Sequence, residues 1–234
     1  MSKRALVLSG GGFFGAYEVG AWSAIESHFK PDLIVGASIG SLNAWSIAGG
    51  ASAAELTRNW LNLKMSSITH ASQPIEEIYQ AYSPRMDVCV VLTDILRVRT
   101  RSFVNEQITG RHLAASCAVP FILPFQRIDG VWYADGGLLN ALPLAAAIAL
   151  GATEIIGVNV WAPLPWWAVT PGRVARVLTR SNPKIPKGVK IHLLTPRKFL
   201  GTFRQAANYD RATVERWIAE GHADATKHFP PGMF

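Results

Sequence analysis

The sequence predicts an α/β fold, a three-layer α/β/α sandwich around a mostly parallel sheet. The chain opens with an apolar strand at 5–8, a glycine-rich loop, a helical pattern at 16–29 and a second apolar strand at 33–35. Near-continuous apolar runs at 88–93 and 154–160 are typical of central strands with helices on both faces. Because strands that alternate with helices pair in parallel, we expect a mostly parallel sheet.

The other elements follow from hydrophobic periodicity and from breaker residues. An apolar stripe at Val19, Trp22, Ile25 and Phe29 supports the first helix, and Pro120 ends a later one. In chain order we expect further helices at 39–48, 55–61, 74–82, 106–118, 143–150 and 203–221, and further strands at 96–103 and 189–194.

Length and composition favour a single domain over 1–234. The chain has 234 residues, 49% of them hydrophobic, and no polar linker divides it. The informative motifs lie in 6–160, and 161–234 would complete the same domain. The formal charge of +7 favours an anionic partner such as nucleic acid, an acidic membrane or a phosphate-bearing substrate. A basic enzyme with no such partner would have the same composition.

Cysteine usage and the amino terminus bear on compartment. Cys89 and Cys117 stand in apolar and small-residue surroundings, which predicts buried thiols in a reducing compartment. No Cys/His cluster has metal-ligand spacing, so we expect neither a metal nor a cofactor. The amino-terminal apolar run is too short for a signal peptide or a membrane span. We expect a cytoplasmic protein, in contact with a membrane at most peripherally, although export without a cleaved signal leaves no mark on a sequence.

A Gly-x-Ser-x-Gly pattern stands between the second strand and the helix that follows it. Gly36 and Gly40 flank Ser38, and this strand–turn–helix context is that of a nucleophile elbow. The glycines would let strand and helix approach closely, and the positive end of the helix would favour negative charge at the serine. The alternative is an ordinary turn whose serine caps the helix.

The glycine-rich loop after the first strand has two interpretations. Gly10, Gly12 and Gly15 match the dinucleotide-binding pattern Gly-x-Gly-x-x-Gly, which needs an acidic residue at the end of the next strand. Here Asp32 precedes that strand, at the wrong end. In the other interpretation, the N–H groups of Gly11 and Gly12 face the oxygen that becomes negative when Ser38 attacks an ester carbonyl.

A second chemical candidate is Asp135, which follows an apolar approach at 131–134 and precedes Gly136 and Gly137. Two glycines there permit tight curvature or a close neighbour. Asp-Gly is also a common turn signal, so the motif alone does not separate the two interpretations.

Two surface features suggest contact with a membrane. Arg97, Arg99 and Arg101 alternate as on a strand and would share one face, solvated or anion-binding. The segment 161–167 holds three tryptophans and two prolines, a composition that suits a lipid–water interface, unless the tryptophans cover the core.

In their order and spacing, the loop 10–15, the elbow and the Asp135 motif resemble the patatin-like phospholipase family of serine lipid acyl hydrolases. The resemblance covers about 6–160. It implies a Ser38–Asp135 dyad, an oxyanion hole formed by the backbone of Gly10, Gly11 and Gly12, a lipid substrate and no nucleic-acid partner. Phe13 and Phe14 stand where many members carry a basic residue. This favours exposed phenylalanines that contact an acyl chain and leaves the preference for phospholipids open.

Alternatives remain beside this interpretation. The same acyl-enzyme would serve an acyltransferase, and the glycine loop would also suit a dinucleotide-binding or catalytically silent lipid-binding protein. An α/β-hydrolase triad would recruit His192, but that fold has several strands before its elbow, and here only one precedes the strand that leads into Ser38. The other histidines stand in polar settings and are expected at the surface: His28, His70, His112, His222 and His228.

Overall fold

The computed structural model describes residues 2–161 and 185–234. Its strands are β1 Arg4–Leu8, β2 Leu33–Ala37, β3 Asp87–Asp94, β4 Arg99–Val104, β5 Gln126–Ile128, β6 Val131–Asp135, β7 Glu154–Val158 and β8 Lys190–Leu194. Its α-helices are α1 Gly15–Ile25, α2 Ile39–Ala48, α3 Ala53–Leu61, α4 Ser72–Ala81, α5 Gly110–Ser116, α6 Leu144–Ala149, α7 Phe203–Ala207 and α8 Arg211–His228.

All the described strands belong to one sheet, in the order β5-β6-β3-β2-β1-β7-β8, with β4 beside β3. Five neighbouring strands of this order are parallel to one another: β3, β2, β1, β7 and β8. β4 and the β5–β6 hairpin are antiparallel to their neighbours. The predicted mostly parallel sheet is therefore confirmed, with an antiparallel extension at one side.

Alternate side chains of the central strands enter two separate cores. Leu6 and Leu8 of β1 belong to the core on one face of the sheet, which also contains side chains of α1, α2 and α8. Ala5 and Val7 pack on the other face, with the alanines of α6. Because successive side chains of a strand point to opposite faces, an apolar residue at every position requires cover on both sides. The three-layer prediction is confirmed.

Several element boundaries differ from the sequence prediction. α1 ends at Ile25 rather than at 29, and the closing helix is two helices, α7 and α8. The capping side chain of Asp210, which accepts from the N–H of Thr213, starts α8. β4 begins only at Arg99, because Arg97 lies in the preceding turn and forms an ion pair with Asp94. The three arginines therefore do not share one strand face.

No described helix has both the length and the apolar character needed to cross a membrane. The tryptophan segment predicted at 161–167 lies outside the described residues except for Trp161. Cys89 and Cys117 are both buried free thiols, as predicted.

Candidate active site

Ser38 occupies a sharp turn between β2 and α2. Its backbone has φ 53° and ψ −130°, a conformation that non-glycine residues rarely adopt and that is typical of functional sites. A Cβ at Gly36 would overlap the carbonyl of Gly40, and one at Gly40 would crowd the carbonyls of Leu8 and Ser9. Both positions therefore require glycine, which agrees with the elbow geometry predicted from the sequence.

The strained turn is held by a buried serine from α5. The backbone N–H of Ser38 donates to Ser116 Oγ at 2.8 Å, and the Ser116 hydroxyl donates to the carbonyl of Val91 at 3.0 Å. Ser116 thus ties the elbow to β3. Sequence reasoning assigned Ser116 no role in the site, although Ala115 and Ser116 belong to the stretches that carry the family resemblance.

The pairing of β3 brings Asp135 to Ser38. On β3, Val91 pairs with Ala37 at the end of β2. The next residue, Leu92, pairs with Asp135 at the end of β6. β2 and β6 therefore lie on the same side of β3, and the carboxyl end of β2 faces the carboxyl end of β6. Ser38, directly after Ala37, and Asp135 line one cavity. The structure brings together two residues that are ninety-seven positions apart in the chain.

The Asp135 carboxyl is nearly shut off from solvent, with 4% of the residue exposed. Burial raises its pKa to about 6, against the opposing effects of the Ser38 hydroxyl and the Gly137 N–H. Oδ1 accepts from Gly137 at 2.7 Å, whereas Oδ2 has no hydrogen-bond partner among residues 2–161 and 185–234. The two side chains are therefore close but do not form a well-aligned hydrogen bond. Catalytic hydrogen bonds in general often become well aligned only when substrate binds.

Gly10, Gly11 and Gly12 lie beside the serine, and their N–H groups differ in availability. A Cβ on Gly10 would stand 3.0 Å from Ser38 Cβ. The Gly10 N–H donates to the carbonyl of Ala141 at 2.8 Å, so it is already engaged. The N–H groups of Gly11 and Gly12 find no acceptor in the part of the chain that the structure describes. Of the three predicted oxyanion donors, Gly10 is therefore engaged, and Gly11 and Gly12 have no acceptor within residues 2–161 and 185–234.

The remaining motif glycines permit close contacts around the site. A Cβ at Gly15 would crowd Ile39 of the elbow helix, and one at Gly136 would overlap the Val91 carbonyl. Gly137 lies against Gly10 and donates to Asp135. Trp161, for which the sequence left exposure at an interface and cover of the core both open, is half-buried and donates from Nε1 to the Gly10 carbonyl at 2.6 Å. It therefore helps to hold the glycine loop.

A largely apolar cavity of about 1380 Å³ extends from Ser38 and Asp135. Phe13 lines it, but Phe13 and Phe14 are only 2% and 4% exposed, which corrects the expectation that both are exposed. They are buried because their rings pack against a cluster of aromatic side chains: Trp60, Trp161, Tyr209 and Trp217. The apolar lining includes Ile39, Leu42, Leu56, Leu63, Met65, Ile68, Ile75, Ile78, Ile122, Leu123 and Leu138.

The residues required by the rival interpretations lie elsewhere. Asp32 accepts from the Arg4 N–H at the amino end of the sheet, so no carboxylate meets the glycine loop from β2. His192 is on β8, three strands from β2, where its ring contacts Phe229 and Phe234.

His112 is 5% exposed and bonds to Thr109, so the expectation that it lies at the surface was wrong.

Comparison with known proteins identifies related sequences and folds. A family model described as patatin-like phospholipase matches residues 6–86 and 99–148. Two proteins named lysophospholipase NTE1, from Scheffersomyces stipitis and Meyerozyma guilliermondii, are each 31% identical to this chain over 180 and 182 residues. The matches cover 66% of this chain but only 11% and 12% of those proteins, so the chain spans a small part of their length.

Two solved structures share the fold. VipD from Legionella pneumophila matches with a TM-score of 0.58 at 11% identity, covering 97% of this chain and 66% of that one. The type III effector protein ExoU matches with a TM-score of 0.50 at 15% identity, covering 97% of this chain and 52% of that one. At these identities the likeness concerns the fold alone.

Proposed function

The chain belongs to the patatin-like phospholipase family, and we propose that it is a serine acyl hydrolase that cleaves fatty acyl esters of phospholipids or lysophospholipids. The observation that carries the proposal is the meeting of Ser38 and Asp135. Ala37 and Asp135 pair with successive residues of β3, and both dyad side chains border one apolar cavity.

In the proposed mechanism Ser38 is the nucleophile and Asp135 is the general base. As Ser38 Oγ bonds to the ester carbonyl carbon, its proton passes to Asp135, and the negative oxygen is bound by the N–H groups of Gly11 and Gly12. Collapse of this intermediate breaks the ester bond, and the alcohol leaves with the proton from Asp135. Water then repeats the sequence on the acyl-enzyme and releases the fatty acid. A carboxylate with a raised pKa is a better base while still ionised at neutral pH.

The cavity supports a substrate with a long acyl chain. Its lining is mostly apolar, and about 1380 Å³ exceeds the volume of most small-ligand pockets. Lys64 and Arg204 also line it and provide cations suited to a phosphate group. Relatives named lysophospholipase support a single-chain phospholipid as the first substrate to try.

The test is hydrolysis of a short-chain nitrophenyl ester together with covalent labelling by a fluorophosphonate. We expect Ser38→Ala to abolish both, and Asp135→Asn to lower the rate by about 10³-fold or more. Ser23→Ala removes another helix hydroxyl, bonded to Gly20, and serves as the matched control. Full activity in the Ser38 or Asp135 variant, with its fold intact by circular dichroism, would refute the assignment.

We also propose that the rim of the cavity docks on anionic membranes. Phe203 and Leu138 line the cavity and remain 77% and 45% exposed. Phe121, next to the lining residue Ile122, is fully exposed on a backbone with φ 66°. Large exposed apolar side chains beside a lipid-sized opening, on a chain of net charge +7, match the chemistry of an acidic bilayer surface.

A further inference from the structure

A buried carboxyl group outside the dyad lies beneath the glycine loop. Glu18, in the first turn of α1, is 1% exposed and does not line the cavity. Ser9, the residue before Gly10, places its hydroxyl as a donor 3.3 Å from Glu18 Oε1. Asn43 of the elbow helix donates from Nδ2 to Glu18 Oε2 at 2.9 Å. The carboxyl therefore joins the strand end that carries the glycine loop to the helix that begins at the elbow.

The same network reaches both sides of the site. Asn43 Nδ2 also donates to the carbonyl of Gly15, where the glycine loop ends, and Asn43 Oδ1 accepts from Trp60 Nε1 at 3.0 Å. The N–H of Val160 donates to Ser9 Oγ at 3.0 Å. Asn43 and Trp60 line the cavity. Both ends of the loop that carries the Gly11 and Gly12 N–H groups are thus tied to the elbow helix through Glu18 and Asn43.

No charge compensates the carboxyl within the described part of the chain. Burial raises the pKa of Glu18 to about 8, and only hydrogen bonds from Asn43 and Ser9 oppose this. α2 has no titratable residue. The charged groups on the other helices packed against α1 shift the pKa values of other residues. Asp224 and Glu220 of α8 act on the pKa of Tyr17. Glu55 and Arg58 of α3 act on the pKa of Tyr82. At neutral pH Glu18 is therefore mostly a neutral acid.

We propose that Glu18 is a positioning residue which, as a neutral acid, holds the glycine loop against the elbow helix, and that its ionisation at alkaline pH slows acyl transfer. A buried negative charge beneath the loop opposes the negative oxygen that the loop N–H groups must stabilise. In the neutral acid the Ser9 contact is reversed, because the proton on Oε1 donates to Ser9 Oγ while Oε2 accepts from Asn43. An amide reproduces this pattern, since its Nε2 donates to Ser9 Oγ and its Oε1 accepts from Asn43.

This proposal rests on the proposed function, and the first test is the pH dependence of kcat/KM and kcat on a short-chain nitrophenyl ester. We expect the wild-type rate to rise as Asp135 loses its proton near pH 6 and to fall at least about 10-fold as Glu18 ionises near pH 8. Glu18→Gln keeps the rise and the neutral plateau but loses the alkaline fall. Glu18→Ala lowers kcat more than it changes KM.

Glu26→Gln is the matched control, because Glu26 directly follows the same helix and its carboxyl accepts from the N–H of Ala53. Its pH profile should follow the wild type. Glu18→Gln with an undiminished alkaline fall, or with a kcat as low as that of Glu18→Ala, would overturn the proposal. If Glu18→Ala fails to fold, the Gln variant decides alone.

A second readout needs no catalysis. A carboxyl whose pKa is raised on folding contributes stability that is present at low pH and is lost as pH rises from about 4.5 to about 8. Urea denaturation should therefore show Glu18→Gln gaining stability relative to the wild type between pH 5 and pH 8. A constant difference would refute the neutral acid. If the wild type hydrolyses no ester, the proposed function fails, while this measurement still tests the state of Glu18.

Discussion

At the scale of single residues, the site contains a buried carboxyl group that lacks part of its hydrogen bonding within the described residues. Asp135 Oδ2 has no partner within residues 2–161 and 185–234, although the carboxyl is 4% exposed. Burial of this kind costs folding free energy and raises the basicity of the carboxylate, which the proposed proton abstraction requires. Ser38 adds backbone strain at the same place. The two side chains of the proposed dyad are therefore both held in states that the unfolded chain would not favour.

This cost leads to a pH-dependent stability. The pKa of Asp135 rises from 3.8 unfolded to about 6 folded, so its contribution to stability is lost as pH rises through that interval. We expect Asp135→Asn to be more stable than the wild type at pH 7, by on the order of 1–3 kcal/mol, with the difference shrinking towards pH 4. Urea denaturation at both pH values measures it.

The control is Asp129→Asn, which removes a carboxyl from the exposed β5–β6 turn. An Asp135→Asn variant less stable than the wild type at pH 7 would contradict the view that burial of the charge dominates at this position. It would indicate instead that the new amide loses more hydrogen bonding than the charge costs.

At the scale of elements, the contact between α1 and α8 covers one face of the sheet behind the site. A Cβ at Gly20 of α1 would overlap the backbone carbonyl of Ile218, and a Cβ at Gly221 of α8 would overlap that of Tyr17. One glycine on each helix therefore lets the two backbones touch. Since α1 follows the glycine loop directly, this contact also supports Phe14, whose ring packs on Trp217 of α8.

We expect Gly20→Ala and Gly221→Ala each to destabilise the fold by about 1–3 kcal/mol, because a rigid backbone contact cannot accept a methyl group. The double variant should cost clearly less than the sum, since the first methyl already separates the helices. Denaturant titration of the two single variants and the double variant provides the cycle. Strict additivity would mean that the two glycines do not share one contact.

Element types were predictable where apolar periodicity is local, as in β1, β2, α2 and β7. Element ends were less so. The predicted strand at 96–103 loses its first residues to a turn because Asp94 binds Arg97. The predicted helix at 203–221 divides where Asn208 and Tyr209 leave the helix to bond with the segment after α3, Tyr209 through its N–H to the Ser66 carbonyl. Both changes depend on contacts outside the local periodicity.

At the scale of the whole molecule, the exposed aromatic rim predicts how the protein meets its substrate. Phe121→Ser and Phe203→Ser should each lower co-sedimentation with phosphatidylglycerol-containing vesicles several-fold, because each removes a large apolar side chain that would insert. Binding should also weaken with added salt and with neutral lipid.

Met86→Ser is the matched control. Met86 is 36% exposed and directly precedes β3, at the amino edge of the sheet and away from the site. Equal loss of binding in this variant would point to a nonspecific effect of surface apolarity. Binding that ignores lipid charge and salt would contradict docking on an anionic surface.

The sequence by itself determined the family, the positions of the serine, the aspartate and the glycines around them, and the order of the strands and helices except for β5, β6 and the division of the last helix. These features can be predicted without a structure because they depend on local sequence. An apolar run predicts a buried strand, and a glycine in a motif indicates a point where a side chain does not fit. Gly36 and Gly40 were therefore interpretable from the chain alone.

Only the tertiary structure decided how these parts act on each other. The pairing of Ala37 and Asp135 with neighbouring residues of β3 brings Ser38 and Asp135 together. Packing also engages the Gly10 N–H with Ala141 and buries Phe13. The tertiary structure also decided the raised pKa values of Asp135 and Glu18. Burial causes both shifts, and the burial of a group depends on all the elements that cover it, which no local sequence pattern specifies.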